Sequence, residues 1–110
     1  MRGALDGFVV VGKTADIAPG SMKRIDIGGE RIVVAHVEGR FYALRDACGH
    51  IGVPLSFGTL EGYFIECPRH YALFDVRDGA FITGPMSANV PSYKVHVEGD
   101  TVFVEQPGQP

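Results

Sequence analysis

No segment of this chain carries ten consecutive residues of helical periodicity, and that constrains its fold more than any other feature. Short runs rich in β-branched and aromatic residues alternate instead with turn signals. Phe8-Val9-Val10-Val11 reads as a first strand, and residues 14–20 as a turn or a single helical turn. Residues 22–27 and 31–37 flank Gly28-Gly29, a hairpin signal. Glu38-Gly39-Arg40 turns into Phe41-Tyr42-Ala43-Leu44. Beyond a long loop come strands at 63–66 and 72–76, and Arg77-Asp78-Gly79 turns into Ala80-Phe81-Ile82. A proline-bounded loop, 84–91, precedes a last hairpin that pairs 93–98 with 101–105 across Gly99-Asp100. In Tyr93-Lys94-Val95-His96-Val97-Glu98 polar and apolar residues alternate strictly, as in a strand with one buried face. Fifteen glycines and seven prolines in 110 residues suit such a turn-rich chain. The pattern predicts an all-β fold of short antiparallel strands, with residues 106–110 fraying at the end.

The length fits one domain with a modest core. Net charge is −3 with neutral histidines, and no basic patch of the kind nucleic-acid binders carry is visible. No stretch is apolar enough for long enough to span a membrane as a helix. The segment Met1-Arg2-Gly3-Ala4-Leu5-Asp6 lacks the apolar core of a secretory signal, so a cytoplasmic protein is expected. Two cysteines are too few for a stapled secreted fold. In a reducing compartment two cysteines are bystanders, a redox pair or metal ligands, and their surroundings decide which.

Two segments break the strand pattern in a similar way. One is Cys48-Gly49-His50, followed by Ile51-Gly52-Val53-Pro54-Leu55; the other is Cys67-Pro68-Arg69-His70. Each places a thiolate and an imidazole in a tight turn containing Gly or Pro. The sixteen residues between His50 and Cys67 are enough for the chain to leave and return, so all four side chains can converge. A Cys₂His₂ set admits a mononuclear zinc site or a Rieske [2Fe–2S] cluster, in which two histidines replace two cysteines on one iron. Zinc knuckles usually separate paired ligands by two or more residues. The single residue between Cys48 and His50 is easier to accommodate when the two need not bind the same ion, which favours the cluster.

The pattern Cys48-x-His50, sixteen residues, Cys67-x-x-His70 resembles the Rieske signature, and nearly the whole chain resembles the Rieske-type ferredoxins. Pro54-Leu55, Cys67-Pro68-x-His70, Phe74-Asp75-Val76, Gly79 and the final hairpin share the likeness. The resemblance implies one Rieske-type [2Fe–2S] cluster, with Cys48 and Cys67 on one iron and His50 and His70 on the solvent-facing one. It implies a Rieske fold of stacked antiparallel sheets with a cluster-binding part at one end. The division expected is one domain over 1–110, with the cluster-binding part at about 46–91 and a base of about 1–45 and 92–106. It implies a carrier without substrate chemistry of its own. The carrier takes one electron from an NAD(P)H-dependent flavoprotein reductase to a terminal oxygenase in bacterial aromatic compound oxidation. It would dock transiently at the cluster tip, as a monomer. A dioxygenase is the commoner acceptor in this family and a di-iron monooxygenase the less common. Two other readings stay open here: a Rieske-type small subunit of another oxidoreductase such as nitrite reductase, and a zinc-stabilised interaction module. Colour separates the last from the others.

High-potential members of the family carry an additional cysteine in each ligand loop. By resemblance those positions fall here at Val53 and Arg69, so that disulfide is missing. They also place a serine and a tyrosine hydroxyl beside the cluster, where this chain has Ala72 and Phe74. Hydrogen bonds to cluster sulfur favour the reduced, more negative state, so their loss lowers the potential. With neutral histidines, two ferric ions, two sulfides and two thiolates sum to zero, whereas a four-cysteine cluster is anionic. The expected potential therefore lies above that of plant-type ferredoxins but near the low end of the Rieske range, about −150 mV. It should vary little with pH near neutrality, and redox titration is the check.

Outside the two loops, His36 and His96 are expected to be surface or edge-strand residues. Asp46 reads as a solvated turn residue and Tyr71 as a packing or rim residue. Pro85, Met86 and Pro91 belong to the loop that covers the cluster in this family. Ile51, Val53, Pro54, Leu55 and Phe57 divide between core and an apolar rim around the exposed histidines.

Overall fold

The apolar run Ile32-Val33-Val34-Ala35 becomes the centre of the molecule. The computed structural model describes residues 7–48, 52–68, 71–84 and 88–107. Strands β1 (Phe8–Lys13), β2 (Met22–Ile27), β3 (Glu30–Val37) and β4 (Arg40–Arg45) come first. The short strands β5 (Thr59–Glu61), β6 (Phe64–Glu66), β7 (Leu73–Asp75) and β8 (Phe81–Thr83) follow. Strands β9 (Ser92–Tyr93), β10 (Val95–Glu98) and β11 (Thr101–Glu105) complete the set. Among the described residues the only helical pieces are two 3₁₀ turns, Thr14–Asp16 and Leu55–Phe57.

The strands form three antiparallel sheets, in the orders β1-β11-β10, β2-β3-β4-β9 and β5-β6-β7-β8. The second lies between the other two. Successive residues of a strand point to opposite faces. Accordingly Ile32 and Val34 of β3 join a core with Phe41, Ala43, Val102 and Val104, on the β1-β11-β10 side. Val33, Ala35 and Val37 join a second core with Leu55, Ile65 and Phe74, on the β5-β6-β7-β8 side. A strand buried on both faces needs apolar residues without alternation, which is why β3 reads as an uninterrupted run. The β2–β3 hairpin closes over Gly28 and Gly29 at φ 58° and 87°, the doubly left-handed turn that only glycine adopts without strain.

Residues 93–98 do not form one strand. Tyr93 pairs with Ala43 of β4, whereas Val95 pairs with Val104 of β11, and the chain changes sheet at Lys94. Consequently β10 lies at the edge of its sheet and presents no fully buried face; Val97 is exposed. Residues 59–61, not anticipated as a strand, pair with β6 as β5.

Candidate metal centre

Both cysteines sit in the second core, each at the start of a loop that leaves a sheet. Cys48 lies three residues after β4. Its N–H donates to the Val53 carbonyl at 2.6 Å, and its own carbonyl accepts from Gly52 N–H at 2.9 Å. Cys67 follows β6 directly. Its N–H donates to the Ala72 carbonyl at 2.8 Å, and its carbonyl accepts from Tyr71 N–H at 2.9 Å. The two loops therefore close with the same pair of bonds at the same sequence offsets. They also share a left-handed residue four positions after the cysteine, Gly52 at φ 70° and Tyr71 at φ 59°.

The thiols of Cys48 and Cys67 lie near enough to interact, and both are free and buried. Burial first, and then the neighbouring Cys67 side chain, push the Cys48 thiol up to about 12. Without metal the Cys48 thiol is thus held protonated, and binding a soft metal there must release its proton. Buried paired thiols in an apolar core fit the sulfur half of a Cys₂His₂ [2Fe–2S] site. Ala72 and Phe74 are buried in this same core and bring no hydroxyl to it. His50 and His70, the other two expected ligands, lie outside the described residues, as do Ile51, Arg69, Pro85 and Met86. Among the described residues no group of three or more His, Cys, Asp or Glu is placed to hold a metal.

Two glycines bring the cysteine-bearing segments together. A Cβ on Gly58 would overlap the carbonyl oxygen of Glu66, the residue before Cys67. Gly58 thus lets the chain leaving the first loop run against the chain entering the second. On Gly84 a Cβ would fall 2.7 Å from Ala72 Cα, so the segment at 84 also lies directly against the second loop.

Asp46 is not solvated. Its side chain is fully buried two residues before Cys48. Its Oδ1 accepts from Ser56 N–H at 2.7 Å and its Oδ2 from the Ser56 hydroxyl at 2.6 Å. Arg24 Nε of β2 lies 3.6 Å from Oδ2. The carboxylate thereby ties the entrance of the first loop to the 3₁₀ turn at its exit and to the middle sheet. Such a role is invisible to local reading because Arg24 is remote in sequence. Of the apolar residues expected around the loop, Leu55 is core, Val53 and Pro54 are half-buried, and Phe57 is exposed with Arg24 6.0 Å from its ring centre. Tyr71 is 69% exposed. His96 lies on the edge strand β10, as expected, 3.5 Å from Glu98. His36 lies on the central strand instead, half-buried, stacked on Phe41, with Nδ1 2.7 Å from the Ile17 carbonyl.

The second loop has a clamp of its own at the far end of its hairpin. The Arg77 side chain makes two hydrogen bonds to Asp75, at 3.0 and 2.8 Å, and lies 4.2 Å from the Tyr63 ring centre. The Tyr63 hydroxyl donates to Glu38 at the β3–β4 turn, 3.1 Å away. The Asp75 carboxyl is held below its usual range chiefly by the Arg77 side-chain bonds, against the opposing effect of burial.

The sequence profile of the family described as the Rieske [2Fe–2S] domain matches residues 7–94. The ferredoxin component of biphenyl 2,3-dioxygenase from Rhodococcus jostii is 40% identical over 95 residues, covering 86% of this chain and 89% of that one. The structure resembles the ferredoxin of carbazole 1,9a-dioxygenase from Nocardioides aromaticivorans, with a TM-score of 0.86 and 31% identity over 90% of this chain and 97% of that one. It also resembles a chain in a complex of reduced oxygenase and oxidised ferredoxin of a carbazole 1,9a-dioxygenase. There the TM-score is 0.87 and the identity 31%, over 94% of this chain and 97% of that one.

Proposed function

The chain belongs to the Rieske [2Fe–2S] domain family, and from that premise we propose that it is the electron-transfer ferredoxin of a multicomponent aromatic-ring oxygenase. It carries one electron from an NAD(P)H-dependent flavoprotein reductase to a terminal dioxygenase. It catalyses no substrate conversion itself. The observation that carries the reading is the meeting of two buried thiols from two loops of identical closure, within a chain whose relatives are dioxygenase ferredoxins.

Cys48 and Cys67 ligate one iron as thiolates, and His50 and His70 ligate the other through imidazole nitrogen. When bound, the cluster supplies one-electron uptake and release. The chain's own residues do the rest. The paired N–H···O bonds fix each cysteine's backbone, Asp46 fixes the first loop, and the core around Leu55, Ile65 and Phe74 keeps water from the sulfur side. The part at about 46–91 holds the cluster on a base of about 1–45 and 92–106. The protein acts as a cytoplasmic monomer and docks transiently at its cluster end. No helix of the described residues is long and apolar enough to cross a membrane.

The test is reconstitution. The purified protein should sustain oxygenase turnover when mixed with a reductase, NAD(P)H and ring-hydroxylating oxygenases. His50→Cys and His70→Cys variants should lower the potential and slow that transfer. A protein that accepts electrons from no such reductase and passes them to no such oxygenase contradicts the reading.

A further inference from the structure

The two ligand loops impose the same left-handed backbone on their fourth residue after cysteine, and only one of them fills it with glycine. Gly52 adopts φ 70° without penalty. Tyr71 adopts φ 59°, where an L side chain is strained because its Cβ crowds the following carbonyl oxygen. The structural duty of the position is one N–H donated to the cysteine carbonyl, 2.9 Å away in both loops. Glycine performs that duty equally well in the first loop. The tyrosine ring returns little to the fold, since Tyr71 is 69% exposed. Glu38, the other described non-glycine residue with positive φ, differs: its carboxylate accepts the Tyr63 hydroxyl and fastens two sheets together.

Strain held at an exposed position next to a functional centre points to a demand made by something outside the folded chain. Large, rigid, amphipathic rings are the residues that dominate protein interfaces. We propose that Tyr71 is a docking residue for the terminal oxygenase, its ring entering an apolar depression on that partner beside the electron-exit end of this chain. The inference rests on the ferredoxin reading above. The oxygenase is preferred to the reductase because the fold matches a chain from an oxygenase–ferredoxin complex.

The test compares wild type, Tyr71→Gly and Tyr71→Phe, each loaded with cluster, as the varied component in oxygenase turnover with reductase in excess. Tyr71→Gly is expected to raise the KM for the ferredoxin about tenfold, the scale of losing one interface anchor. Its kcat, iron content and reduction potential should stay those of wild type, and its Tm should be no lower. Tyr71→Phe should keep the wild-type KM. An unchanged KM in Tyr71→Gly, or a Tm that falls by several degrees, overturns the inference while leaving the ferredoxin reading intact. Failure of the wild type to support any oxygenase would overturn that reading and the inference with it.

Discussion

The loop that begins at Cys48 and the loop that begins at Cys67 have the same backbone closure and different supports. The first is latched from within: Asp46 is buried and holds Ser56 and Arg24, and a glycine relieves its left-handed position. The second extends a tight hairpin whose far end is clamped by Asp75, Arg77, Tyr63 and Glu38. It carries an exposed tyrosine at the strained position. The geometry at the sulfur is thus a shared requirement, whereas the means of holding it are not. A buried carboxylate can replace a strand pair as the anchor of a cysteine-bearing loop.

Removing each support should reveal the asymmetry. Asp46→Ala leaves the Ser56 N–H and the Arg24 guanidinium without their carboxylate partner. Loss of charged hydrogen bonds at a buried site should cost about 2–3 kcal/mol, read as a lowered denaturant midpoint, and should loosen cluster retention. A loss below about 0.5 kcal/mol, the range of ordinary surface changes, would show that the first loop does not depend on its latch. Gly52→Ala places a Cβ at φ 70° and should cost about 1 kcal/mol, whereas Tyr71→Gly at the matching position should cost nothing. Equal effects at the two positions would erase the distinction between the loops.

The smallest effect is expected in acid. The Asp75 carboxyl has a folded pKa below its unfolded value of 3.8, so its stabilising contribution is complete above that value and is lost as pH falls through the folded one. Arg77 is half-exposed, so solvent screens the pair and keeps the contribution small. Asp75→Asn should therefore show a slightly shallower loss of stability below about pH 4 than wild type, followed by acid titration of the unfolding midpoint. A variant that is steeper in acid would contradict the depressed carboxyl.

Much of this arrangement is legible in the chain itself. The uninterrupted Ile32–Ala35 run, the Gly28-Gly29 turn and the tight turns that begin at Cys48 and Cys67 each follow from local chemistry. Other features depend on partners that are distant in sequence. Alternation in residues 93–98 marks an extended chain but cannot say which sheet each half pairs with, so the change at Lys94 is not foreseeable. Strand β5 is three residues long and bounded by Gly58 and Gly62, and it exists because β6 is beside it. Asp46 looks like any turn aspartate until Arg24 and Ser56 are brought to it. The left-handed Tyr71 does leave a trace in the sequence. Aligning the loops on their cysteines places Tyr71 over Gly52, and the glycine marks the conformation required of both.

We propose that Cys48, His50, Cys67 and His70 hold a two-iron cluster and not a single zinc. Metal and acid-labile sulfide analysis of the protein as purified under anaerobic conditions tests this most directly. The expected result is a brown protein with about two iron atoms and two sulfides per chain, both lost in Cys67→Ser. A colourless protein with one zinc and no sulfide would contradict it.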